Sequence, residues 1–170
     1  MAKKAARTSK RKTAAKKALT RRRTSTGKKA VATRKVRGAG RKAAASHKPV
    51  EYNTVSPYLI VAGASGTIDF LKQVFGATEL RRFADPSGKV MHAEVRVDDT
   101  VVMLGDGGEG WPPQTAHVHV YVRDVDAVYR RALAAGATSV QEPVKKDDED
   151  KRGGVKDAGG TTWWIATRVG

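Results

Sequence analysis

The chain has 170 residues, with 33 Lys+Arg against 17 Asp+Glu and a formal net charge of +16. It has no cysteine, which excludes a disulfide framework, a thiolate nucleophile and Cys-ligated zinc or iron–sulfur sites. Its longest apolar runs, around 58–62 and 101–104, fall far short of the roughly 20 residues a membrane-spanning helix needs.

The charge is unevenly placed. Residues 1–48 hold 19 Lys/Arg and no acid, whereas residues 49–170 hold the other 14 basic residues and all 17 acids, a net of −3. Apart from alanine, the first segment has only Met1, Leu19, Val31 and Val36 as apolar residues. It cannot bury enough surface to offset its ordering entropy and is expected to be a disordered arm. Its cations cluster at Lys10-Arg11-Lys12, Arg21-Arg22-Arg23 and Arg34-Lys35-Val36-Arg37. In composition it resembles the lysine/alanine-rich tails of linker histones and bacterial histone-like proteins. Lys10, Arg11, Lys12, Arg21, Arg22, Arg23, Arg34, Lys35 and Arg37 are the expected nucleic-acid contacts. They would be sequence-independent, through counterion release from phosphates. With no aromatic residue, the arm offers no platform for stacking bases. A cleaved transit peptide or a general polyanion-binding tail would show much the same composition. As a coil the arm would reach on the order of 40 Å.

Composition shifts at Pro49-Val50. Residues 52–62 read as a strand, with Leu59 and Val61 on one face. Gly63-Ala64-Ser65-Gly66 is a turn with Ser65 as a plausible helix N-cap. Ile68, Leu71, Val74 and Phe75 give a helix its apolar face, and Gly76 stops it. Residues 78–83 read as a strand, 85–88 as a turn, and 90–97 and 100–104 as strands of a hairpin turning at Asp98-Asp99. Alternation places Met91, Ala93, Val95 and Val97 inward and His92, Glu94 and Arg96 on the other face. A Gly/Pro-rich connection over 105–115 follows.

The pattern then restarts. Residues 116–122 are a strand, with Val118, Val120 and Val122 inward and His117, His119 and Tyr121 opposite. A helix begins at an Asp124 cap and ends at Gly136, residues 138–141 are a strand, 145–154 a charged loop and 161–168 a final strand. Gly76-Ala77-Thr78 and Gly136-Ala137-Thr138 mark the same junction 60 residues apart, and Ile68 matches Val128 at that offset. This internal repeat predicts an α+β body of two βαβββ modules, too small to be separate domains, over residues 49–170.

The stretches Val55-Ser56-Pro57-Tyr58-Leu59-Ile60-Val61, Val74-Phe75-Gly76-Ala77, Val90-Met91-His92-Ala93-Glu94-Val95-Arg96-Val97, His119-Val120-Tyr121-Val122-Arg123-Asp124-Val125-Asp126-Ala127 and Asp157-Ala158-Gly159-Gly160-Thr161-Thr162-Trp163 resemble the vicinal oxygen chelate superfamily. It includes glyoxalase I, bleomycin-resistance proteins and extradiol dioxygenases, and the likeness is strongest to its PhnB-like branch. The resemblance runs through residues 53–169. It implies two βαβββ modules around a cleft, which in many members holds a divalent metal on His and Glu side chains.

Carried over by position, those ligand places fall on Ser56, Met103, His117 and Trp164. Only His117 is an ordinary ligand, so no metal and no cofactor is expected. Ser56, Tyr58, Met103, Tyr121 and Trp164 are then expected to line the cleft. His117, His119, Glu94 and His92 are the candidate catalytic groups, a His–Glu pair being able to act as a general base. The resemblance implies a small-molecule-binding domain, often a homodimer, whose ligand the sequence does not name. The arm would tether it to nucleic acid, giving a cytoplasmic, nucleoid-associated protein with no membrane contact. A metal-dependent lyase/isomerase or dioxygenase of the same superfamily is an alternative. An architectural nucleoid protein with a vestigial cleft is another. No phosphate-binding loop or nucleophile elbow is present.

Overall fold

The computed structural model describes residues 47–170. The expected basic arm, with its nine candidate nucleic-acid contacts, lies outside the described residues except for His47 and Lys48. Ten elements follow: β1 (Tyr58–Val61), α1 (Ala64–Phe75), β2 (Thr78–Ala84), β3 (Val90–Val97), β4 (Thr100–Asp106), β5 (Ala116–Tyr121), α2 (Val125–Ala134), β6 (Thr138–Lys145), β7 (Asp150–Lys156) and β8 (Thr161–Arg168). The strands form two four-stranded sheets of matching order, β1-β4-β3-β2 and β5-β8-β7-β6. In each, the first strand pairs in parallel with the last and the other pairs are antiparallel. This is the repeated βαβββ module expected from the sequence.

Each helix covers one face of its sheet. In α1 the buried set includes Ala64, Ile68, Leu71 and Val74, one stripe at helical spacing. Gly76 ends α1 at φ 67, a conformation glycine adopts without a Cβ penalty. In α2 the Asp124 carboxylate accepts from the Ala127 N–H at 2.9 Å, as an N-cap should. The apolar faces of both modules merge into one core. Trp163 of β8 is fully buried, with its ring 6.4 Å from Phe70 and 5.6 Å from Phe75, both on α1. The modules are also tied through polar groups. Arg131 of α2 donates Nε and Nη2 to the Val74 carbonyl at 3.0 and 2.7 Å, and the Ala62 N–H donates to Gly159 O at 3.4 Å. A Cβ at Gly159 would stand 2.3 Å from Thr67 Oγ1, so any larger residue would force Thr67 to move.

Four local expectations are corrected. First, β1 starts at Tyr58, not at residue 52. Ahead of it no ladder forms: Tyr52 and Asn53 hold to the body by their side chains, and Pro57 accepts one backbone bond from Met103. Second, Ser65 is not the N-cap of α1. The cap is Gly63 at φ 82, and the Ala64 N–H is met by Asp106 Oδ1 at 2.6 Å from the end of β4. Third, Met91 does not face inward but is 59% exposed. Phe83 pairs with His92 and Ala84 with Val90, so Met91 is the extra residue of a β-bulge. That bulge resets the alternation, leaving Val90 and Ala93 both buried. Fourth, the charged stretch over 145–154 is not all loop, since β7 occupies Asp150–Lys156. Its charges Asp150, Lys151 and Arg152 are half-buried at its start, and Gly153 and Gly154 lie against Pro143 and Trp164. Among the described residues no helix is long and apolar enough to cross a membrane.

Candidate functional site

Cross-strand partners share a sheet face, so the register fixes which side chains meet. In the first sheet Tyr58 pairs with Met103, Met103 with Glu94 and Glu94 with Arg81. This row crosses all four strands on the face away from α1. His92 and its partner Phe83 lie beside it. Glu94 is its centre and is nearly buried, with 8% of its side chain exposed. Arg81 Nε donates to Glu94 Oε2 at 3.1 Å, and the Tyr52 hydroxyl donates to the same oxygen from outside the sheet. His92 Nε2 lies 3.2 Å from Glu94 Oε1.

A carboxylate can only accept, so a neutral His92 carries its proton on Nε2. Its Nδ1 is then left to accept the Tyr58 hydroxyl at 3.3 Å. The rings form a series, Tyr58–His92 at 5.7 Å and His92–Phe83 at 6.3 Å between centroids. Burial pushes the Glu94 carboxyl up, but the hydrogen bonds from Tyr52 and His92 and the Arg81 charge outweigh it. Together they hold it below the usual glutamate range. The bond to Glu94 in turn raises the Tyr52 phenol.

The second sheet carries its own row. His119 pairs with Trp164, Trp164 with Gly154 and Gly154 with Gln141. The Trp164 indole N–H donates to His117 Nδ1 at 3.1 Å with the two rings stacked, 15° apart in plane. Trp164 can lie flat because its neighbour is Gly154, where a Cβ would sit 2.7 Å from the ring. His119 and Tyr121 are in ring contact at 4.7 Å, and the Tyr121 hydroxyl donates to Asp150 Oδ2 at 2.9 Å. That bond raises the Tyr121 phenol.

The structure therefore brings together Glu94, His92, Tyr58 and Met103 in one group and His117, His119, Tyr121 and Trp164 in another. Among the described residues, no hydrogen bond, ion pair or ring contact joins the two groups. Ser56 lies half-buried before β1, in neither row. Tyr52, Arg81 and Phe83 belong to the first group and were not expected there. Only an aromatic residue set ahead of the apolar pattern hinted at Tyr52.

A depression of about 280 Å³ opens beside Tyr58 between Ile60, Met91 and Trp111. A larger one, about 620 Å³, lies at the seam between the modules, lined by Phe75, Val97, Val120 and Arg131, and reaches Tyr121 of the second group but none of the histidines.

The places where the sequence resemblance puts metal ligands do not make a metal centre. Met103 offers a thioether and Trp164 no lone pair. His117 spends Nδ1 on the Trp164 indole, which leaves its proton on Nε2. Both oxygens of Glu94 are engaged by donors. Among the described residues no group of three or more His, Asp or Glu is arranged to hold a metal ion.

Comparison with known proteins bears on the same residues. The model of the Glyoxalase/Bleomycin resistance protein/Dioxygenase superfamily matches residues 52–165. Uncharacterized proteins of Mycobacterium bovis and Mycobacterium tuberculosis are 38% identical over 126 residues, 68% of this chain, covering 83% and 74% of their own lengths. Among solved structures, TioX from Micromonospora sp. ML1 is 27% identical with a TM-score of 0.56, over 67% of this chain and 98% of its own. TnmS3, an antibiotic-binding protein from Streptomyces sp. CB03234, superposes with a TM-score of 0.54 at 18% identity, over 71% of this chain and 96% of its own. The fosfomycin resistance protein FosX from Listeria monocytogenes does so at 0.56 and 18%, over 66% and 91%. At those last two identities the likeness is one of fold.

Proposed function

The chain belongs to the Glyoxalase/Bleomycin resistance protein/Dioxygenase superfamily, and we propose that its domain binds a flat, largely apolar small molecule without a metal. The observation that carries this reading is the Trp164–His117 pair. Where the sequence resemblance puts a metal-binding carboxylate there is an indole. Its N–H occupies the imidazole nitrogen that would otherwise be free to accept. What remains is stacking surface with few polar anchors, the usual make-up of a small-molecule site. TnmS3, described as antibiotic-binding, has the same fold, which is in keeping with sequestration but does not name a ligand.

The faces that carry the two groups are unusually apolar for solvent. Tyr58, Phe83, Met91, Trp111 and Tyr121 are all exposed there. We read them as the faces that a homodimer covers, with the cleft between subunits. The arm, outside the described residues, would hold this domain on nucleic acid by its uncompensated charge, as its histone-like composition implies. A nucleoid-associated location follows from that reading.

The test is a thermal-shift screen of planar aromatic compounds on the full chain, with metal content measured on the same sample. Binding that raises Tm, unaffected by chelator, is expected. Stoichiometric nickel, zinc, manganese or iron, lost together with binding on chelation, would sink the metal-free reading.

A second reading has one observation in its favour. Glu94, His92 and the Tyr58 hydroxyl form a hydrogen-bonded chain in which a carboxylate orients an imidazole, the arrangement of a general base. The domain would then be a lyase or isomerase working by proton transfer through His92. Turnover abolished by His92→Gln, at unchanged ligand affinity, would favour it over sequestration.

A further inference from the structure

Residues 47–57 contain no helix or strand, yet they do not leave the body. Side chains of Glu51, Tyr52 and Asn53 fasten them across the first sheet. Glu51 pairs with Arg96 Nη1 at 3.1 Å, Tyr52 donates to Glu94, and Asn53 Nδ2 donates to Asp99 O and Thr100 Oγ1 at 3.1 and 2.9 Å. Backbone bonding to the sheet resumes only where Met103 N–H donates to Pro57 O at 2.9 Å. Glu51 sits at φ 68, a left-handed conformation that a non-glycine residue holds only when other contacts compel it. A segment held this way can be released by breaking a few side-chain contacts, with no ladder to unzip.

What the segment delivers is one phenol, to one oxygen of the most buried carboxylate on that face. Every other donor to Glu94 comes from the sheet itself. Arg81 lies on β2 and His92 on β3. The rings flanking the site, Tyr58 and Phe83, both contact His92 and are still 46% and 57% exposed, so each keeps open surface beside the carboxylate.

We propose that residues 47–54 form a displaceable strap, and that the Tyr52 hydroxyl holds the place at Glu94 of a ligand's own O–H, so that this subsite takes a neutral hydroxyl donor on an aromatic ring. The ring would lie against Tyr58 and His92, and its hydroxyl would donate to Glu94 Oε2 beside Arg81. An ionised carboxylate cannot donate, so an ether or a carboxylate in the same place would lose that bond and leave Glu94 short of a donor. This inference rests on the reading of the domain as a small-molecule binder and specifies what one of its walls selects.

The experiment uses the full chain and two probes of similar size, 4-methylphenol and 4-methylanisole. Affinities are read from amide shifts of residues 92–96 in NMR titrations. A site open only part of the time binds with its affinity reduced by the open fraction. Tyr52→Phe keeps the ring and removes the hydroxyl. It is expected to tighten both probes by about tenfold, as for a strap closed about nine-tenths of the time, with 4-methylphenol the tighter of the two because only its hydroxyl donates to Glu94. Glu94→Gln should narrow the difference between the probes, because an amide oxygen accepts more weakly than a carboxylate and the amide N–H can donate to the ether.

No gain for either probe in Tyr52→Phe, or equal affinities of the two probes there, would overturn the proposal. So would the absence of binding in every variant. If the planar-compound screen still finds ligands in that case, the reading of the domain survives the loss of this subsite. A second readout needs no ligand. Hydrogen exchange at residues 50–56 is expected to speed up in both variants, and unchanged protection would show that the phenol does not hold the strap.

Discussion

Glu94 combines a charge, little solvent and three converging donors, so its protonation should register in stability. Its carboxyl is held below the ordinary glutamate pKa of about 4.3. A folded-state value below the unfolded one means the stabilisation is complete above the unfolded pKa. It is lost as pH falls through the folded value. Glu94→Gln is therefore expected to cost about 1–3 kcal/mol at neutral pH, since it leaves Arg81 and Tyr52 facing an amide. The melting temperatures of wild type and variant, followed from pH 7 downward, should converge in acid. A gap that persisted unchanged to low pH would mean the ion pair contributes nothing. Gly154 makes a residue-scale case of a different kind. A Cβ there would stand 2.7 and 2.9 Å from two atoms of the Trp164 ring. Gly154→Ala should swing the indole off His117 and cost about 1–3 kcal/mol as overpacking. Altered tryptophan emission together with a lower Tm would report both effects.

At the scale of elements, the end of β4 does more for α1 than the residues at the helix start. Asp106 accepts from the Ala64 N–H at 2.6 Å with one carboxylate oxygen and from the Val90 N–H at 2.7 Å with the other. It serves as a remote cap for a helix whose own N-cap is a glycine. Asp106→Ala should leave both N–H groups without that acceptor and cost about 1–3 kcal/mol. Hydrogen exchange quickening together at the start of α1 and at β3 would check it, and an effect confined to α1 would count against the bridge. Sequence periodicity could not see such a cap, because its donor and acceptor are 42 residues apart. It could see features written locally. Gly76, Asp124 and Gly136 bound the helices as read, and the Asp98-Asp99 turn joins β3 to β4. His92 and Glu94, two apart on one strand, were legible as a pair on one face. Two other features obscure themselves. Alternation cannot be read in β7, since three charged residues and then two glycines run consecutively. The bulge at Met91 shifts the period by one without any glycine or proline to announce it. Arg81 was hidden for a related reason, because a register shift between Glu79 and Arg81 decides which β2 side chain meets Glu94.

For the whole molecule, two facts set the behaviour: a core that is not divisible and a charge that is. Trp163 is fully buried against α1 of the other module, and the helix faces of both sheets belong to one apolar cluster. Residues 47–170 are accordingly expected to unfold in a single calorimetric transition. Trp163→Ala, at about 3–5 kcal/mol, should lower it without splitting it, whereas two resolved transitions would mean the modules are independent. The charge divides differently. Residues 49–170 carry 14 basic and 17 acidic residues, so a polyanion gains nothing from the net charge of this part. The first 48 residues, with 19 cations and no acid, contain the whole excess. If nucleic acid is the partner, affinity should follow the arm alone. Neutralising about eight phosphates on duplex DNA would give log K against log salt a slope of about −7. A peptide of residues 1–48 should reproduce that slope, and the chain beginning at residue 47 should bind too weakly to measure one. Because the contacts would be to phosphates, scrambling the DNA sequence should leave the affinity unchanged. Retention of affinity after removal of residues 1–46 would instead place the binding surface on the folded domain and remove the arm from the mechanism.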